Sequence, residues 1–209
     1  MAYLRMGGCR VAIETTEEER VLSRLTRTYS RLIEDRKRQV ARLRAVFLEL
    51  APEMLHASWA GQQPGSKAML YLLECWPGFE GLERAQMRSI EKILHRCRYG
   101  SRATQVAKLI RKMARGISVP AEERSAITME LDFFVRQIRF CNESADQVYT
   151  EITHRVERHP VGQKLLEMHG NGPVITGVLV SELFPVARTS TEPKCATYAG
   201  VTPLSRKSG

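Results

Sequence analysis

The 209-residue sequence is short of several features that would mark common functional classes. No apolar run approaches the ~18–20 residues needed to cross a bilayer, and the start, Met1 to Arg10, is too short and too weakly apolar for a signal peptide. No membrane partner is expected, and the location expected is cytoplasmic. The five cysteines (Cys9, Cys75, Cys97, Cys141 and Cys195) are odd in number, widely spaced and contain no CxxC pair. That pattern fits reduced thiols better than a disulfide framework or a zinc site. The five histidines are equally scattered, without an HExxH. P-loop, nucleophile-elbow and DxD patterns are missing too, so composition alone indicates no catalytic machinery. Aromatic residues make up only 7% of the chain. Hydrophobic and charged fractions of 43% and 26% remain ordinary for a soluble globular protein of one or two domains.

What the chain does have is a localised charge. The net charge of +9 resides in one segment. From Arg84 to Arg115 there are ten basic residues: Arg84, Arg88, Lys92, Arg96, Arg98, Arg102, Lys108, Arg111, Lys112 and Arg115. They face one acid, Glu91, while the remaining 22 basic and 22 acidic residues cancel. Such a concentration is expected of a surface that meets a polyanion.

Periodicity predicts two long helices. The first spans about Glu17 to Leu50, with Thr15 or Thr16 as cap and Glu17, Glu18 and Glu19 where the helix dipole favours negative charge. Its apolar seam runs Leu22, Leu25, Tyr29, Leu32, then Val40, Leu43, Phe47, Leu50, interrupted near Arg36, with Pro52 as its end. The second spans about Pro120 to Arg158, with Ser118 as a possible cap. Its seam, Ile127, Leu131, Phe134, Ile138, Cys141, Ala145, Val148 and Ile152, alternates four and three like a coiled coil. At ~1.5 Å per residue each helix reaches about 50–60 Å. Matching lengths point to a long antiparallel coiled-coil hairpin. Pairing of each helix with its copy in a homo-oligomer is equally allowed, and the two arrangements are compatible.

Between these helices lies an inserted segment, residues 54–117. It opens with a loop by composition (Ala60 to Ser66), then a short apolar helix from Ala68 to Cys75 stopped by Trp76, Pro77 and Gly78. Two basic helices follow, about Gln86 to Arg98 and Arg102 to Arg115. Arg84, Arg88, Lys92 and Arg96 recur every four residues, opposite Met87, Ile90, Leu94 and Cys97. Lys108, Arg111, Lys112 and Arg115 repeat the pattern opposite Val106, Leu109, Ile110 and Met113. A charged face is ordinarily just solvated, but this sign bias over two successive helices favours nucleic-acid binding. Tyr99, alone among aromatics there, gives little support for base stacking.

After His159 the chain is broken by glycine and proline, with short helices expected at about Val161–Met168, Val174–Phe184 and Lys194–Tyr198. The turn from Met168 to Pro173 has the form of a helix-hairpin-helix, in which Gly170 and Gly172 permit tight geometry and close approach of a phosphate. A plain glycine-rich connector is the competing reading. The chain is therefore mainly α. Residues 1–16 form an N-terminal linker, 17–158 the hairpin with its insertion, and 159–209 a C-terminal domain.

Within that last region the residues resemble a known family. The runs Gly170 to Glu182 (GNGPVITGVLVSE), Lys194 to Pro203 (KCATYAGVTP) and Arg206 to Gly209 (RKSG) are similar to the transposase domain of the DEDD-type insertion-sequence transposases. These are the RNA-guided bridge recombinases. The segments Glu18 to Arg20 and Arg42 to Arg44, and the Trp76–Pro77 pair, resemble that family's central coiled-coil region. The resemblance implies DNA as partner, a guide RNA that pairs with donor and target DNA, and site-directed strand exchange. It also implies a Holliday-junction-resolvase-like acidic domain holding magnesium, and a nucleophilic serine in the C-terminal domain. Ser208 matches that serine, with Ser205 the lesser candidate. The acidic domain should precede residue 1, so no metal ligand or cofactor maps onto this chain, and the helix-hairpin-helix domain stops one residue after Ser208. A truncated, inactive form is therefore expected, and a non-enzymatic nucleic-acid-binding protein derived from a transposase is the alternative.

Overall fold

A computed structural model of the chain describes residues 16–56, 64–117 and 119–183. Helices take 83% of these residues, and no strand occurs among them, so the protein is mainly α. The expected helix at Lys194–Tyr198, the possible cap Ser118, and Ser205 and Ser208 lie outside the described residues.

Helix α1 spans Glu17–Leu50. Its start is a reciprocal cap: Glu19 N–H donates to Thr16 Oγ1 at 3.2 Å, and Thr16 N–H donates to Glu19 Oε2 at 2.8 Å. Pro52 does more than end α1, because it opens a further helix, α2 (Pro52–His56), where its missing N–H is harmless. Helix α3 (Lys67–Cys75) is capped by Ser66, whose Oγ accepts from Met69 N–H at 3.3 Å. Gly78 then turns the chain at φ +78°, a conformation that favours glycine. There follow α4 (Phe79–Arg84), α5 (Met87–Arg96), a 3-10 turn (Gly100–Arg102) and α6 (Ala103–Arg115). Helix α4 was not legible in the sequence: six residues give too little periodicity, and Gly81 lowers helix propensity.

The second long helix, α7, spans Arg124–Arg158, starting later than expected. Residues 121–123 form a turn instead, closed by Glu123 N–H donating to Pro120 O at 3.0 Å. Arg124 holds the junction by donating from Nε to Val119 O at 3.1 Å. Helix α8 (Pro160–Leu166), helix α9 (Pro173–Val178) and a π-helical turn (Leu179–Leu183) complete the described chain.

The chain divides into two compact units, with the boundaries inside α1 and α7. The central unit, Leu32–Ser144, has a core to which Leu43 and Phe47 of α1 and Leu131, Phe134 and Ile138 of α7 contribute. The inserted helices supply Leu72 and Leu73, Phe79 and Leu82, Ile90 and Leu94, and Ile110 to the same core. Phe47 and Phe79 meet edge to face with centroids 5.3 Å apart. Each such side chain, fully buried, stabilises by about 1.5–3 kcal/mol, so the basic segment is anchored by its apolar faces.

The terminal unit, Met1–Arg31 with Ala145–Gly209, has its own core of Leu22, Ile152, Val156, Leu165 and Val180. Tyr29 and Tyr149 stack at a tilt with centroids 6.2 Å apart. One glycine here is required by space and a second is closely packed. A Cβ on Gly162 would lie 2.4 Å from Val156 O, and one on Gly177 would lie 3.0 Å from Thr26 Cγ2.

Candidate nucleic-acid interface

The amphipathic pattern of α5 is realised in three dimensions. Ile90 and Leu94 are completely buried, Met87, Ile93 and Cys97 pack against the core, and Arg88, Lys92 and Arg96 are exposed. In α6, Ala103, Val106, Ala107, Ile110 and Ala114 are buried, while Lys108, Lys112 and Arg115 are exposed. Four-residue spacing puts each set of cations on one side of its helix because 3.6 residues complete a turn.

Two of the ten cations depart from the simple repeat. Arg84 is exposed but sits on α4, separated from α5 by the extended backbone at Ala85 and Gln86. It lies 3.8 Å from Glu80, which also pairs with Arg124 at 2.8 Å. Arg111 is half-buried, and its Nε donates to Glu83 O at 3.0 Å. Glu80 is an acid at the margin of the basic segment that a window starting at Arg84 misses.

The hinge between α5 and α6 is tightly built. Cys97 N–H donates to Ile93 O and Tyr99 N–H to Leu94 O, at 3.0 and 3.1 Å. Arg98 adopts φ +65°, a left-handed conformation that costs a non-glycine residue on the order of 1–2 kcal/mol. Arg98 is exposed to solvent, as are Arg96, Ser101 and Arg102 beside it. Below them, burial pushes the Cys97 thiol up from its ordinary range, opposed by the charges of Lys67 and Arg96. Burial likewise raises the Tyr99 phenol, whose hydroxyl is screened from solvent without a hydrogen-bond partner among the described residues. That ring is committed to the core, which leaves little of it for stacking on a base.

In the terminal unit, α8 and α9 flank the turn carrying Gly170 and Gly172. His159 Nδ1 accepts from Gly162 N–H at 3.3 Å to cap α8. The turn is held by Asn171, whose side-chain amide donates to Leu165 O at 3.2 Å and whose N–H donates to Met168 O at 3.1 Å. Gly170 has φ +91° and so needs to be glycine, whereas Gly172, at φ −82°, does not. Both are exposed, and a Cβ on either would meet nothing within 4 Å. No internal contact therefore demands glycine at 172. Further on, Glu182 accepts from Ser23 Oγ at 3.0 Å and pairs with Arg27 at 2.7 Å.

Among the described residues no group of three or more His, Cys, Asp or Glu is arranged to hold a metal ion. The described residues do not fit the magnesium site that the resemblance implies for a full-length enzyme.

Comparison with known proteins is informative at one end of the chain. No curated protein and no solved structure matches. Residues 162–209 match the model of the Transposase IS116/IS110/IS902 family, a match that begins inside α8 and takes in the Gly170–Pro173 turn and α9. That match supports a relationship between this chain and the transposases of the IS116/IS110/IS902 family.

Proposed function

We propose that this chain serves DNA transposition of the DEDD type, holding DNA, and a guide RNA with it, on the basic face of α5 and α6. The observation that carries the reading is the division of that segment. Nine of its ten cations are exposed, while its apolar side chains are buried in the core of the central unit. Cations fixed on a rigid surface attract a phosphate backbone through counterion release, which supplies affinity with little sequence information. Sequence choice would then come from RNA pairing, as the family resemblance implies.

In this reading α1 and α7 form a coiled-coil hairpin, also a surface for homo-oligomers, and residues 159–209 form a helix-hairpin-helix transposase domain. Gly170 shapes the turn, and Gly172 leaves its surface open to a phosphate. Ser208 is the proposed nucleophile, with Ser205 as the alternative. A serine hydroxyl is weak by itself and needs activation and stabilisation of the leaving oxygen, which groups beyond the described residues would have to provide. The direct test is fluorescence anisotropy of labelled duplex DNA and a labelled RNA hairpin against salt concentration. Steeply salt-dependent binding is expected, and its absence at low salt would remove the assignment.

A further inference from the structure

The central unit carries a second gathering of cations, on α1. Arg36, Val40 and Arg44 follow at intervals of four with Lys37 beside them, so they share one side of the helix. The segment entering α3 closes on this side. A Cβ on Gly65 would lie 2.5 Å from Val40 Cγ2, so glycine is what lets Ser66 and the first turn of α3 come so near. Between them is a cleft of about 470 Å³, lined by Arg36, Lys37, Val40, Arg44, Gly65 and Ser66 together with Ala41. Its size is typical of clefts that bind small ligands or parts of larger ones, about 300–1,000 Å³.

The charge balance in the cleft is one-sided. No carboxylate lines it. Of the two nearby acids on α1, Glu34 pairs with Lys37 at 2.7 Å, which takes that lysine out of the charge balance, and Asp35 pairs with Arg38 at 3.3 Å. Arg36 and Arg44 make no ion pair among the described residues. The Nε of Arg36 is screened from solvent and has no hydrogen-bond partner among them. With no acceptor among the described residues to engage it, the Arg36 guanidinium keeps its donors for an anion, which would supply charge-assisted hydrogen bonds. Helix α3 adds the positive end of its dipole at Ser66. Exposed Lys67, next in the chain, is close enough to the Cys97 thiol for its charge to act there, together with that of Arg96.

We propose that this cleft binds a phosphate group of a nucleic-acid backbone through Arg36 and Arg44, and that Lys67 continues the cationic track from there to Arg96 at the end of α5. The choice of ligand rests on the nucleic-acid reading above; the anion site itself does not. Two guanidinium groups suit phosphate because each can donate two parallel hydrogen bonds to its oxygens.

The test uses the full chain with three probes: inorganic phosphate, a labelled DNA duplex and a labelled RNA hairpin. Inorganic phosphate should shift the arginine Nε–Hε NMR signals of Arg36 and Arg44 in the parent while leaving those of Arg38 and Arg42 in place. The double variant R36Q/R44Q should weaken nucleic-acid binding and flatten its log–log salt slope by about two. The control R38Q/R42Q, with the same loss of charge elsewhere on α1, should flatten it by less than half as much. A larger effect on the duplex assigns the phosphate to DNA, and a larger effect on the hairpin assigns it to RNA. Unmoved Arg36 and Arg44 signals, or equal slopes for the two double variants, would overturn the proposal and leave the α5–α6 face intact. Phosphate-shifted signals in a chain that binds neither DNA nor RNA would keep the anion site and overturn the nucleic-acid reading instead.

Discussion

The guanidinium of Arg111 donates from Nε to the main-chain carbonyl of Glu83 across 3.0 Å, tying α6 to the end of α4. One member of the basic segment is thereby turned from ligand contact to structure. Its removal leaves a partly screened carbonyl without its donor, so Arg111→Ala is expected to cost about 1 kcal/mol in folding stability. Lys108→Ala, which removes an exposed cation one turn earlier, should leave stability within about 0.5 kcal/mol of the parent. Urea denaturation of the two variants checks this, and equal midpoints would show that the Glu83 contact carries no energy.

The exposed cations of α5 lead to a binding prediction. Each phosphate neutralised contributes about 0.9 to the log–log salt slope on duplex DNA. Replacing Arg88, Lys92 and Arg96 together with alanine should therefore flatten that slope by about three, with the loss similar across sequences. Circular dichroism should show the helices retained, because Ile90 and Leu94 hold α5 in the core. Unchanged affinity at low salt would assign these cations to solvation alone.

Much of this interface was legible in the sequence because its cause is local. Ten cations against one acid between Arg84 and Arg115 need no tertiary information, and a four-residue spacing fixes the side of a helix on which they stand. The helix ends were legible only in part. Thr16 caps α1 because its hydroxyl and the Glu19 carboxylate satisfy each other's N–H groups, a pattern printed in the sequence. The start of α7 depends instead on Arg124 reaching Val119 and Glu80, and Glu80 is more than forty residues away. Arg36 and Arg44 were hidden for a related reason. Gly65 and Ser66, which close the cleft beside them, lie more than twenty residues further along the chain, and only the fold brings them to this side of α1.

The seam of α7 separates neighbouring phenylalanines. Phe134 is 8% exposed and belongs to the central core, whereas Phe133 is 52% exposed. Phe134→Ala should cost about 3–5 kcal/mol, the range for deleting a large buried ring, and Phe133→Ala well under half of that. A thermal melt of Phe134→Ala matching the parent's would show that this seam does not carry the core.

Thiol chemistry should follow burial. Burial raises the Cys97 and Cys141 thiols above their ordinary range, whereas Cys75 is exposed. Alkylation near neutral pH, read by peptide mass mapping, should modify Cys75 before Cys97 and Cys141, because a reagent reaches it freely and the thiolate is the reactive form. The same shifts have a definite sign for folding. A group whose pKa is higher in the folded chain than in the unfolded one stabilises fully below the unfolded value. That contribution is lost as pH rises through the folded value. Stability should therefore fall once pH climbs past the ordinary thiol range, and C97A/C141A should weaken that decline. An unchanged alkaline decline in the double variant would place its origin elsewhere, with the Tyr99 phenol, also raised by burial, the next group to replace.

Gly170 and Gly172 stand two residues apart and make opposite predictions. Gly170 adopts φ +91°, so alanine there forces a left-handed backbone on a residue with a Cβ, and Gly170→Ala should destabilise the terminal unit by about 1 kcal/mol. Gly172 sits at φ −82°, with nothing within 4 Å of an added Cβ. Gly172→Ala should therefore change folding stability by well under about 1 kcal/mol, because the smaller backbone entropy of alanine in the unfolded chain offsets its poorer fit at the N-cap of α9. A phosphate approaching this turn closely would meet the new methyl group, so the same variant should weaken DNA binding although its fold is intact. The pair is informative because stability and binding move independently. Equal DNA affinity for the parent and Gly172→Ala would refute close approach at this turn and leave Gly170 as the hinge of an ordinary connector between α8 and α9.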